Sequence, residues 1–118
     1  MLYRWLEGWL YGCTIVGKRP FGPGVAELMD WENSAIDFPD GGDEIEFLED
    51  LLADQDFLAQ TSLRNHCECL VRHDWRYRLR EMLKIANLPI PERLQSEIQM
   101  LQQKGDRLFE ECRIPIYL

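Results

Sequence analysis

The sequence predicts an α/β fold in which a short parallel sheet is followed by a carboxy-terminal cluster of helices. Three observations predict it. Two short apolar, partly β-branched runs, residues 13–16 and 34–38, read as buried strands. Helical spacing precedes the first run and resumes between the two, an alternation that implies parallel pairing. From Asp43 onward the apolar residues recur at helical spacing.

The elements follow in order. Leu2, Trp5, Leu6, Trp9 and Leu10 share one helix face, and Gly12 ends that helix because glycine tolerates positive φ. Cys13-Thr14-Ile15-Val16 is the first strand. Gly17-Lys18-Arg19-Pro20-Phe21-Gly22-Pro23-Gly24 is a loop, since glycine and proline punctuate regular structure. A short helix over residues 25–29 leads to the second strand, 34–38, and a turn at Asp40-Gly41-Gly42. Asp43 caps a helix running to Leu52, with Ile45, Leu48 and Leu52 as its inner face. A longer helix ends near Arg72. Asp74 caps another, 75–86, with Leu79, Met82 and Leu83 inward. Pro91 opens a last helix built on Leu94, Ile98 and Leu101, which Gly105 closes. The apolar tail, 114–118, is expected to pack on the domain.

At 118 residues there is room for one modest core, and four tryptophans argue for packing rather than disorder. The net charge of −8 opposes binding to nucleic acid or to anionic membranes. No apolar run approaches the roughly twenty residues of a bilayer span. The opening Met1-Leu2-Tyr3-Arg4-Trp5-Leu6-Glu7 lacks the basic-then-apolar plan of a secretory signal, so a cytoplasmic protein is expected. Residues 27–56 hold acids and no Lys or Arg, whereas Arg64, Arg72, Arg76, Arg78, Arg80 and Lys84 follow. Two readings stand: acidic and basic helices that pair or are solvated, or a phosphate or partner site on the basic helix. Cys13, Cys67, Cys69 and Cys112 form no disulfide framework and read as thiols. His66, Cys69 and His73 share a helix face in zinc-like spacing, but only three ligands arise locally, so no metal is assigned.

Three stretches carry a family resemblance. Leu6-Glu7-Gly8-Trp9-Leu10-Tyr11-Gly12-Cys13-Thr14-Ile15-Val16-Gly17 is the first, Gly22-Pro23-Gly24-Val25-Ala26-Glu27-Leu28 the second. The third runs from Leu51-Leu52-Ala53-Asp54 to Arg72-His73-Asp74-Trp75-Arg76-Tyr77-Arg78. In order and gaps they resemble the carboxy-terminal, donor-side part of group-one glycosyltransferases with two Rossmann-like domains. The resemblance covers about three quarters of the chain. It implies a truncated Rossmann-like donor half over residues 1–88, with residues 89–118 as a helix and tail packing on it. The family's upstream acid, its diphosphate-binding glycine loop and its acceptor domain have no counterpart here. The resemblance therefore implies a piece that is inactive alone, a remnant or a truncated reading frame included.

That resemblance assigns donor-binding roles to Glu7, Lys18, Arg19, Gly22, Gly24 and Val25. A carboxylate at Glu7 suits paired ribose hydroxyls, which are hydrogen-bond donors. The turn at Gly22, Gly24 and Val25 would present amides to an anion, and Lys18 and Arg19 would neutralise a diphosphate. Each residue also has a plain structural reading, as a solvated side chain or a turn. Glu27 suits a helix start, and His73, Trp75 and Arg78 read as packing groups. The implied function is the nucleotide-diphospho-sugar side of sugar transfer to a hydroxyl, with no catalytic residue and no cofactor in the chain. The alternative is a non-catalytic interaction module that self-associates, as a homodimer for instance, or pairs with a separate amino-terminal half.

Overall fold

In a computed structural model, which describes residues 3–113, the opening helix is α1, Tyr3–Leu10. Gly12 ends it at a φ of 71°. A side chain there would be strained and would meet Ser62 Oγ at 2.7 Å, so the position needs glycine. A single 3-10 turn, Ala26–Met29, follows. A loop leads from there to four helices: α2 (Glu44–Ala53), α3 (Gln55–Arg72), α4 (Trp75–Ile85) and α5 (Glu92–Arg113). The tail at 114–118 lies outside the described residues.

The expected sheet does not form, and this corrects the fold class from Rossmann-like α/β to all-α. Among the described residues there is no strand, only an isolated parallel bridge between Val16 and Ile36. The two predicted strands do meet in the predicted direction: Ile36 N–H donates to the Ile15 carbonyl and Gly17 N–H to the Ile36 carbonyl, both at 2.9 Å. The pairing goes no further for local reasons. Gly17, at a φ of 144°, turns the first run away, and Pro39, just past the second, has no N–H to donate. Without a third strand, an isolated pair is a marginal structure.

The chain divides into two compact units, Met1–His66 and Cys67–Leu118. In the first, aromatic packing and side-chain hydrogen bonds do the work a sheet would have done. Trp9 is fully buried, its ring 4.7 Å from Trp31 and 5.9 Å from Trp5 in edge-on geometry. Its Nε1–H donates to the Ser34 carbonyl at 2.8 Å, and Ser34 Oγ donates to the Met29 carbonyl at 2.8 Å. Trp31 Nε1–H donates to Asn65 Oδ1 at 2.9 Å, and Asn65 Nδ2 donates to the Cys13 carbonyl at 2.8 Å. Three of these bonds tie the loop between α1 and α2 to a helix, and the Ser34–Met29 bond closes the loop on itself.

The caps at Asp43 and Asp74 stand where the sequence places them, and Asp54 adds one that it did not. Asp43 Oδ1 accepts from Ile45 and Glu46 N–H, Asp54 Oδ1 from Phe57 N–H, and Asp74 Oδ1 from Arg76 N–H. In the second unit Tyr77, Leu94 and Ile98 form the core of the α4–α5 pair, with Leu79, Leu83 and Ile90 against it. Arg76 clamps the pair: Nη1 meets both Asp74 oxygens at 3.0 Å, and Nε donates to Glu97 on α5 at 2.8 Å.

Two further expectations are corrected. Gly105 does not close α5, which runs on to Arg113. It is buried inside the helix, where a Cβ would overlap Val71 Cγ1. Its smallness lets α5 approach α3. Met82, expected inward, is exposed.

Gly105→Ala should lower stability by about 1–3 kcal/mol, through overpacking, although Ala outranks Gly in helix propensity by about 1 kcal/mol. Urea denaturation checks this, with Val71→Ala in the same chain expected to restore most of the loss. Asn65→Ala, which strands the Trp31 indole and the Cys13 carbonyl, should cost about 3 kcal/mol in the same assay.

Candidate functional site

The residues singled out for donor binding do not form an enclosed site. Glu7 is exposed on α1, and Lys18, Gly22 and Gly24 are exposed in the following loop. Arg19 is engaged structurally: Nη2 donates to the Ala35 carbonyl at 2.9 Å and Nε lies 3.9 Å from Asp37. Val25 is half-buried, with its N–H donating to the Gly22 carbonyl at 3.2 Å and closing the turn. Glu27 is exposed within the 3-10 turn, as are Trp75 and Arg78 on α4. The positions implied by the resemblance thus shape a loop, but the sheet edge that would turn them toward a common ligand is missing.

The thiols and histidines on α3 likewise have structural surroundings. His66 Nδ1 donates to the Leu10 carbonyl at 2.6 Å. Cys67 and Cys69 are buried and outside any disulfide, and Cys13 is exposed. Burial, and then the nearby Asp74 carboxylate, push the Cys69 thiol up to about 11. Among the described residues no group of three or more His, Cys, Asp or Glu is placed to hold a metal ion.

The surface is more informative. Ile45, Leu48 and Leu52, which share a face of α2 by their spacing of three and four, point outward. Ile45 is 70% exposed and Leu52 63%, and α2 has no buried residue at all. The sequence identified the stripe and assigned it to the wrong side. Phe47, packed on Phe38 at 5.7 Å, anchors the other side of the helix. Glu46 and Glu49 flank the stripe. In the second unit, α4 exposes Trp75, Arg78, Met82 and Ile85 along one face.

Along α5 lies an open groove of about 530 Å³, lined by Met100, Leu101, Lys104 and Arg107, with Arg76 and Glu97 at one end. Glu97 receives Arg76 Nε at 2.8 Å and Arg93 Nε at 3.0 Å. These two bonds hold its carboxyl below the usual glutamate range, so the end of the groove is neutralised. Lys104 and Arg107 are exposed. Ending the helix at Gly105 leaves Arg107, the one lining residue beyond that point, off the helix. The signal was present, since Leu94, Ile98, Leu101, Gly105, Leu108 and Cys112 keep a four-three rhythm straight through the glycine.

The charges divide with the units. The first carries thirteen acids against four Lys and Arg, the second eight against nine.

Comparison with protein-family models, curated proteins and solved structures returned no match.

In a Cys112→Ser background, a thiol reagent at pH 8 should modify Cys13 rapidly and leave Cys67 and Cys69 intact until the chain unfolds, as read by mass spectrometry. Because the folded Cys69 thiol is raised, the unfolded chain releases that proton first. Stability should therefore fall as pH rises from about 9 towards about 11, and fall less steeply in Cys69→Ala.

Proposed function

We propose that this chain is a non-catalytic protein–protein interaction module. The observation that carries the reading is α2, an amphipathic helix whose apolar stripe is presented outward while its cap and Phe47 hold it in place. With Ile45 and Leu52 mostly exposed, such a stripe contributes little to the fold as it stands and gains burial once a partner covers it. The exposed rings of Tyr3, Tyr11 and Phe21 add apolar surface in the same unit. A cytoplasmic setting belongs to this proposal, because free thiols such as Cys13 persist where glutathione keeps them reduced. Among the described residues no helix is long and apolar enough to cross a membrane.

What supports this reading over the nucleotide-sugar one is the replacement of the sheet by a loop and helices. Open α/β sheets bind nucleotides at the carboxyl ends of parallel strands, and a single bridge offers no such crevice. The resemblance to group-one glycosyltransferases nevertheless sets the control. Titration with UDP and GDP should leave the amide shifts of Glu7 and Gly24 unchanged, and perturbation there would return the donor reading to first place.

The direct test uses a photo-reactive residue at position 49, beside the stripe, in the native cells. A discrete covalent adduct is expected, lost when Ile45 and Leu52 become serine. Those two serines should leave the stability of the isolated chain within about 1 kcal/mol, because little burial is lost. A diffuse smear, or an adduct indifferent to the serines, would sink the interaction reading.

A further inference from the structure

We infer that the partner of the α2 stripe is a second copy of this chain, and that the stripe docks in the groove along α5. The inference rests on the interaction reading above and adds the occupant. Two surfaces of one molecule match in shape and in charge. From Ile45 to Leu52 the stripe runs about 10 Å at the helical rise of 1.5 Å per residue. It is apolar along its crest and acidic along its flank, with Glu46 and Glu49 exposed. The groove is concave, with Met100, 67% exposed, and Leu101 as apolar lining and Lys104 and Arg107 as exposed cations. An amphipathic helix laid in such a groove is a recurrent recognition mode.

The electrostatics favour this pairing over stripe against stripe. Asp43, Glu44, Glu46, Glu49 and Asp50 crowd α2 and its cap, and no Lys or Arg lies between residues 27 and 56, so two α2 helices side by side repel. The Arg76–Glu97–Arg93 cluster satisfies the one acid at the groove, leaving Lys104 and Arg107 to face the incoming carboxylates. The outer face of α4 exposes Trp75, Met82 and Ile85 beside one cation, Arg78, whereas the α5 groove presents two, Lys104 and Arg107.

Docking joins two different surfaces, so it closes reciprocally as a two-fold dimer or continues head to tail. One helix face covers far less than the ~1,600 Å² of a standard interface, so the affinity expected is weak, roughly 10–100 µM. Its ionic part should weaken as salt rises.

The experiment is sedimentation velocity on the purified full chain across that concentration range, at low and high salt. The weight-average mass should rise with concentration and fall back in salt. Glu46→Lys with Glu49→Lys, and separately Lys104→Glu with Arg107→Glu, should each weaken association roughly tenfold or more. Mixing the two variants should restore it, since reversed α2 then meets a reversed groove. A misfolded variant would not complement, so restoration also reports folding. Arg78→Glu on α4 should change nothing. A wild-type chain that stays monomeric throughout overturns self-docking. A photo-adduct heavier by some other protein's mass would then leave the interaction reading standing, and no adduct would remove both. Wild-type association unmoved by either charge reversal, a mixture that stays monomeric, or loss of association in Arg78→Glu would each overturn the groove assignment.

Discussion

The first unit hangs on the hydrogen-bonding reach of two indoles and one amide. A chain that runs from Gly12 to Asp43 with a single 3-10 turn leaves many backbone groups without ladder partners. Trp9 and Trp31 bring large apolar area and one N–H each, and both N–H groups end on polar atoms in the interior. Asn65 closes the circuit, accepting from one indole and donating to the Cys13 carbonyl fifty-two positions away in sequence. Low local dielectric makes such bonds strong and makes their loss costly, so the loop is specified by a few residues rather than by a sheet.

The second unit is held by a different device, a carboxylate used twice. Asp74 Oδ1 caps α4 by accepting from the Arg76 N–H, and the same carboxylate grips the Arg76 guanidinium, which then reaches Glu97 on α5. The fork geometry of arginine lets one side chain serve both partners. With Tyr77, Leu94 and Ile98 beneath it, the pair of helices is registered by polar and apolar contacts at once.

Local chemistry was the legible part of the sequence. The caps at Asp43 and Asp74, the stop at Gly12 and the extents of α2, α3 and α4 all follow from single residues and spacing. What failed was tertiary. Residues 13–16 and 34–38 have strand-like composition and do pair, yet whether a pair grows depends on neighbouring strands that composition cannot supply. Periodicity in α2 identified Ile45, Leu48 and Leu52 as one face but carried no information on which side the rest of the chain lies. Gly105 was read as punctuation because glycine favours helix ends, while its place in the four-three rhythm argued for a packed interior position. Of the surfaces proposed to bind a partner, the α2 stripe is visible as a pattern, whereas the groove, a product of side-chain packing along α5, is not.

Gly105 also bears on how the distal part of α5 is held. A glycine near the middle of a twenty-two-residue helix weakens the local preference for helix, so the distal half of α5 draws its order from the surface it lies on. That surface includes Val71 of α3. The close approach of residue 105 to Val71 therefore ties the distal part of α5 to α3. Lys104 and Arg107, which line the groove, stand on either side of that contact, so a substitution at residue 105 would disturb the groove as well as the packing.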